Sequence, residues 1–113
     1  MQVDIKRVKI VVAVPTEYVQ VLVQALCEEG AGKVGNYSYC TTWVKSAGTF
    51  KPNENANPFI GENDKLVYVE GAQFEVICDI ENVGQVIKKL REVHPYEEPG
   101  MDIIPLLDES MFL

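Results

Sequence analysis

Apolar and polar positions alternate in some stretches of this chain and recur every three or four residues in others. Residues 5–14 alternate and then become continuously apolar through Val8, Ile10, Val11, Val12 and Val14. A short β-branched run of this kind predicts a strand covered on one or both faces. Pro15 closes it, Thr16 is placed to cap a helix, and Glu17 suits the first turn. Val19, Leu22, Val23 and Leu26 then follow the spacing of an amphipathic helix, which Gly30 stops.

Residues 37–45 predict a second strand, with Tyr37, Tyr39, Thr41 and Trp43 on one side and Ser38, Cys40, Thr42 and Val44 on the other. From 46 to 65 the chain turns to loop chemistry, with Gly48, Pro52, Asn53, Asn55, Asn57, Pro58, Gly61 and Asn63. A connection of that length is long for a compact domain and is expected to be functional or disordered. Leu66–Val69 and Phe74–Cys78 read as strand on either side of Gly71, a position suited to a bulge or tight turn. A second helix is predicted over 81–93, with Val83, Val86, Ile87 and Leu90 as its apolar stripe, and Pro95 stops it. Residues 101–107 form a last strand, whose Pro105 lacks a ladder donor and so assigns it to a sheet edge.

The order β-α-β-(long loop)-β-α-β is the split βαβ, ferredoxin-like pattern of the α+β class. Right-handed crossovers place both helices on one face of a four-stranded antiparallel sheet ordered 4-1-3-2. One domain over 1–113 is expected, with the loop at 46–65 and a short tail at 108–113. The open sheet face, predicted to carry Tyr37, Tyr39 and Trp43 or their alternates, is expected to be buried by self-association into a trimer or dimer. The apolar tip Met111-Phe112-Leu113 suits docking onto a neighbouring subunit.

Composition narrows the partners. Of 113 residues, 10 are Lys or Arg and 17 are Asp or Glu, a formal charge of −7 that makes a nucleic-acid phosphate backbone an unfavourable partner. The longest apolar run, Ile10–Val14, is far below the ~20 residues of a membrane span, and no targeting segment is recognisable at the start. Cys27, Cys40 and Cys78 are odd in number, widely spaced and form no CxxC, which predicts reduced thiols in a cytoplasmic protein.

Several motifs bear on chemistry. Gly30-Ala31-Gly32-Lys33-Val34-Gly35 matches G-x-G-x-x-G, but it follows a helix and precedes a strand, the reverse of the dinucleotide-binding context. It reads as a helix stop and tight turn. His94-Pro95-Tyr96-Glu97-Glu98-Pro99 is the densest polar cluster. His94 is the only histidine, so a multi-histidine metal centre cannot come from one chain, and no Ser-His-Asp or HExxH arrangement is available. Its plain reading is a helix end with glutamates facing water; a metal held by His94, Glu97 and Glu98 across subunits is the alternative. Phe50 and Phe59 in the long loop either pin it to the body or contact a ligand.

Gly30–Ser38, Gly48–Pro52, Asn57–Gly61 and His94–Glu98 together resemble one family, across about residues 5–107. The chain is similar to the insert domain of the YqfO-type branch of the NGG-one-interacting-factor-three-like proteins. That resemblance implies a ferredoxin-like domain akin to the PII and CutA proteins, which in larger members interrupts a separate domain binding two metal ions. The metal ligands of those members lie in that other domain, so neither a metal site nor hydrolase activity is implied for these residues. PII-like kinship implies trimers and a ligand- or partner-sensing loop between strands two and three, the place of residues 46–65.

The resulting expectation is a non-enzymatic, oligomeric ligand-binding or regulatory module, with no catalytic residue and no cofactor. Its site would combine the glycine turn (Gly32, Gly35, Asn36), the loop (Thr49, Phe50, Asn57, Phe59) and the segment His94, Tyr96, Glu97, where turn N–H groups, aromatic faces and carboxylates meet. The partners are other copies of the chain, a small molecule or a separate protein. A divalent-metal-binding protein of CutA type, and an accessory subunit of a metal-dependent hydrolase, are the alternatives.

Overall fold

The computed structural model describes residues 3–113. Its elements are β1 (Arg7–Val14), α1 (Val19–Glu28), β2 (Thr41–Phe50), β3 (Val67–Asp79), α2 (Val83–Val93) and β4 (Met101–Leu106). Single 3-10 turns, Thr16–Tyr18 and Ile80–Asn82, lead into the two helices, and another, Glu109–Phe112, closes the tail. The strands form one antiparallel sheet in the order β2-β3-β1-β4, the expected 4-1-3-2 read from the other edge.

Alternation decides which sheet face is dry. Val8, Ile10, Val12 and Val14 of β1 and Ala72, Phe74, Val76 and Cys78 of β3 are all buried, and register pairs them across the two strands. They share one cluster with Val19, Leu22 and Leu26 of α1 and with Val86 and Leu90 of α2. Both helices therefore cover the same face. Ten of the largest side chains in this layer, Phe74 and Ile10 foremost, are below 2% exposed. Burial of each contributes about 1.5–3 kcal/mol relative to exposure, which makes this layer the main source of stability. As Pro105 required, β4 is an edge strand.

Three details differ from the sequence reading. The second strand begins at Thr41 rather than 37, because Tyr39 takes a left-handed backbone (φ 58°) that breaks the pleat. Tyr37 instead closes a small turn with Val34, each N–H donating to the other's carbonyl at 2.9 Å. Trp43 stands opposite Phe74 and so on the helix side, leaving Thr42 and Val44 on the open face.

The same strand runs on to Phe50, through Gly48, and β3 is continuous through Gly71. The loop proper is therefore 51–66. Gly71 is needed for a close approach: a Cβ there would lie 2.6 Å from the Val14 carbonyl oxygen. Since β1 ends at Val14, opposite Ala72, residues Val67–Gly71 and their β2 partners project past it. At ~3.4 Å per residue that overhang reaches about 17 Å.

Candidate functional site

Helix α2 delivers the site's anchor. It ends at Val93, where His94 turns to an extended backbone while its N–H still reaches the Leu90 carbonyl at 2.9 Å. The His94 side chain folds inward and is 6% exposed. Its Nδ1 lies 3.1 Å from the Tyr96 backbone N–H, which can only donate, so Nδ1 accepts. The ring proton therefore sits on Nε2 and is donated to the Ala13 carbonyl at 2.8 Å. Burial pushes the His94 pKa below its usual value, and the Ala13 carbonyl pulls weakly the other way. A neutral imidazole with both nitrogens engaged thus ties the end of α2 to the end of β1.

Tyr96 rests on that imidazole, ring centres 4.9 Å apart, and gathers the loop aromatics around it. Phe50 lies 6.4 Å away and Phe59 6.2 Å away, both tilted. Phe59 in turn meets Tyr18, at the start of α1, edge to face at 6.1 Å. Burial, followed by the nearby Glu17 carboxylate, raises the Tyr96 phenol pKa. The loop is also fastened by polar contacts. Both Glu97 carboxylate oxygens accept the Asn57 N–H, at 3.1 and 3.3 Å, and Asn63 donates to the Glu54 and Ala56 carbonyls.

Between the overhanging β2–β3 ladder, the returning loop and residues 96–100 lies a cleft of about 760 Å³. Ser46, Gly48, Thr49 and Phe50 form one wall, Val69–Gly71 the floor, and Phe59, Tyr96 and Glu97 the far side. A recess of about 360 Å³ adjoins it, bounded by Asn57, Pro58, Phe59 and Tyr96.

Of the residues expected to form a site, Thr49, Phe50, Asn57, Phe59, Tyr96 and Glu97 come together here. His94 lies beneath Tyr96 as its support. Gly32, Gly35 and Asn36 do not join them. The Gly32 N–H donates to the Ile77 carbonyl, and Ile77 pairs with Lys9 near the start of β1, whereas His94 holds Ala13 near its end. The separation follows from topology: α1 carries the chain to one end of the sheet and α2 carries it back to the other. His94, Glu97 and Glu98, the alternative metal set, are each engaged separately. Glu97 holds Asn57, and the exposed Glu98 lies 3.6 Å from Arg91. Among the described residues no cluster of three or more His, Cys, Asp or Glu side chains is placed to hold a metal ion.

Sequence reasoning missed Ser46, Gly48, Glu70 and Gly71 on the cleft wall and floor, and Tyr18 as the partner of Phe59. Gly71 did carry a signal, as an isolated glycine inside a strand pattern.

No family profile matches the chain. Over 90% of its length it is 45% identical to a protein of Halalkalibacterium halodurans named GTP cyclohydrolase 1 type 2 homolog, and it spans 27% of that protein. The similarly named protein of Bacillus subtilis is 39% identical over 87% of the chain, which covers 26% of it. The chain thus spans about a quarter of these curated relatives. Among solved structures, a Bacillus cereus protein related to NIF3 superposes with a TM-score of 0.80 at 36% identity, over 92% of this chain and 26% of that one. CutA from Synechococcus elongatus gives a TM-score of 0.69 at 16% identity, over 94% of this chain and 81% of that one. At that identity the likeness concerns the fold alone. The chain is therefore homologous to one segment of the NIF3-related proteins and has the ferredoxin-like fold of the CutA and PII proteins.

Proposed function

We propose that the chain is a non-enzymatic, self-associating binding or regulatory module whose ligand enters the cleft under the loop 51–66. The observation that carries this reading is the convergence of Phe50, Phe59, Tyr96 and Glu97, brought from separate segments, around about 760 Å³. Aromatic faces with a few fixed polar groups are what a small-molecule site needs. Phe59 and the Glu97–Asn57 hydrogen bonds are exposed fastenings of the loop, so a ligand that touches Phe59 or Glu97 would bias its position. Binding is favoured over histidine-based catalysis because the only imidazole is buried with both nitrogens engaged.

Self-association is supported by Val44 and Ile104, exposed on the face away from the helices, and by the tail residues Phe112 and Leu113. Light scattering giving a multiple of the 12.7 kDa chain mass is the expected result. Thermal-shift screening against nucleotides, divalent cations, amines and small anions tests the cleft. Stabilisation that Phe59→Ala abolishes supports it, and no stabilisation by any class overturns it.

A second reading rests on how the ends leave the fold. Arg7 pairs with Leu106, so the first and last strands depart side by side, as a module set within a longer chain requires. On this reading the segment serves as an accessory to the activity of its longer relatives. Affinity capture of a protein homologous to their remaining three-quarters is the test.

A further inference from the structure

Two of the three cysteines meet at the glycine turn, at the far end of the sheet from the cleft. The Gly32 N–H donates to the Ile77 carbonyl, and the Gly32 carbonyl accepts the Cys40 N–H at 2.9 Å. This seats the turn between β3 and the residue that precedes β2. Gly32 has a left-handed backbone (φ 77°) and no side chain. A Cβ there would lie 3.1 Å from the Cys27 Sγ and 3.1 Å from the Cys40 backbone nitrogen. Outside the turn itself, the atoms nearest that point all belong to Cys27 and Cys40. The glycine therefore leaves the two residues facing one another across the space its side chain would fill. Electrostatics agrees, since after burial it is Cys40 that raises the Cys27 pKa.

Their access to solvent differs. Cys27, in the last turn of α1, is 7% exposed, whereas Cys40 is partly exposed. Cys40 also stands before Thr41, the first residue of the β2 ladder, so turning its side chain breaks no strand pairing. Cys27 is thus closed to a reagent in solvent but open to Cys40.

We infer that Cys40 and Cys27 form a thiol-exchange pair, in which Cys40 takes up a small-molecule disulfide from solvent and Cys27 then displaces it to close an internal bond. In the first step the Cys40 thiolate attacks one sulfur of the reagent, its S–S bond breaks, and one half leaves as a thiolate that takes up the Cys40 proton. In the second the Cys27 thiolate attacks the Cys40 Sγ, and the other half leaves in the same way. The two protein thiols lose two electrons and the reagent, gaining them, ends as two thiols. Once Cys40 is capped its thiolate charge is gone, and with it that share of the rise at Cys27. The bond closes a ring around residues 28–39 and fastens the end of α1 to the start of β2.

The test incubates the fully reduced protein with the neutral reagent 2-hydroxyethyl disulfide at mildly alkaline pH, where thiolate is available. Samples are blocked with N-ethylmaleimide over time and mapped by peptide mass. Brief exposure should give the Cys40 adduct, and longer exposure a Cys27–Cys40 cross-linked peptide as the adduct disappears. In Cys27→Ser the Cys40 adduct should persist, and in Cys40→Ser neither product should form, while Cys78→Ser behaves as wild type. The oxidised protein should melt several degrees higher, a gain that dithiothreitol cancels. A wild-type adduct as persistent as that of Cys27→Ser overturns the inference. So does a bond that forms only in denaturant, a Cys40–Cys40 link between chains as the main product, or no reaction at Cys40 at all.

Discussion

The His94 imidazole donates to the Ala13 carbonyl at 2.8 Å and accepts the Tyr96 N–H at 3.1 Å, so one neutral ring joins the end of α2, the end of β1 and the segment that positions Tyr96. Protonation would turn Nδ1 into a donor facing another donor. Burial lowers the folded-state pKa below the usual 6.5, so the unfolded chain takes up the proton first. Stability from His94 is therefore complete above 6.5 and is lost as pH falls from there through the lower folded-state value. Chemical denaturation at roughly pH 8 and pH 5 should show this loss, in a window where no other side-chain type ordinarily titrates. His94→Gln should flatten the slope between those pH values. His94→Ala removes both hydrogen bonds and should cost about 1–3 kcal/mol for each buried group left unpaired.

Gly71 and Gly48 make a matched pair in one hairpin. A Cβ at Gly71 would sit 2.6 Å from the Val14 carbonyl oxygen, while at Gly48 it meets nothing within 4 Å. Gly71→Ala should destabilise by about 1–3 kcal/mol, as forced backbone shifts do. Gly48→Ala should be neutral or slightly stabilising, since it restricts the unfolded chain. Urea denaturation of the two variants reads the difference directly.

Phe59 joins the loop 51–66 to both Tyr18 and Tyr96 yet is 51% exposed. Phe59→Ala should therefore loosen the loop far more than the core. Limited proteolysis is expected to cut within 51–66 several times faster than in wild type, while the melting temperature falls only slightly. Equal cleavage rates would mean that Phe59 does not hold the loop.

The thiols should separate by environment. Burial, then Asp79 and Glu81, push the Cys78 pKa up to about 11; burial and the neighbouring Cys40 raise Cys27. Cys40 is partly exposed. A disulfide reagent at neutral pH should modify Cys40 rapidly and the other two only on unfolding. Peptide mass mapping after brief treatment distinguishes them, and Cys40→Ser should remove the fast phase.

Legibility in the sequence followed the range of the interaction. The two helices, β1 and the edge position of β4 were readable because each is written in its own period or its own proline: Val19, Leu22 and Leu26, or Val83, Val86 and Leu90, need no distant partner to be recognised. The start of β2 misled because Tyr37 and Tyr39 have strand-like side chains, whereas what ends the strand is a left-handed Tyr39 held by Gly32 bridging Ile77 and Cys40. Gly48 and Gly71 read as interruptions because glycine ordinarily weakens a strand. Here the opposite strand completes the ladder, and the Val14 carbonyl demands the missing side chain.

Hydrophobic periodicity determined the elements, and with the right-handed crossover rule the layered α+β architecture and its strand order, because alternate burial along a strand and every third or fourth residue along a helix are local consequences of backbone geometry. Only the tertiary structure decided where the site lies. Whether two loops meet depends on which end of the sheet each helix returns the chain to, so the glycine turn went to one end while Phe50, Phe59, Tyr96 and Glu97 gathered at the other. His94 likewise became a buried tie because the Ala13 carbonyl, 81 positions earlier, waited within hydrogen-bonding reach.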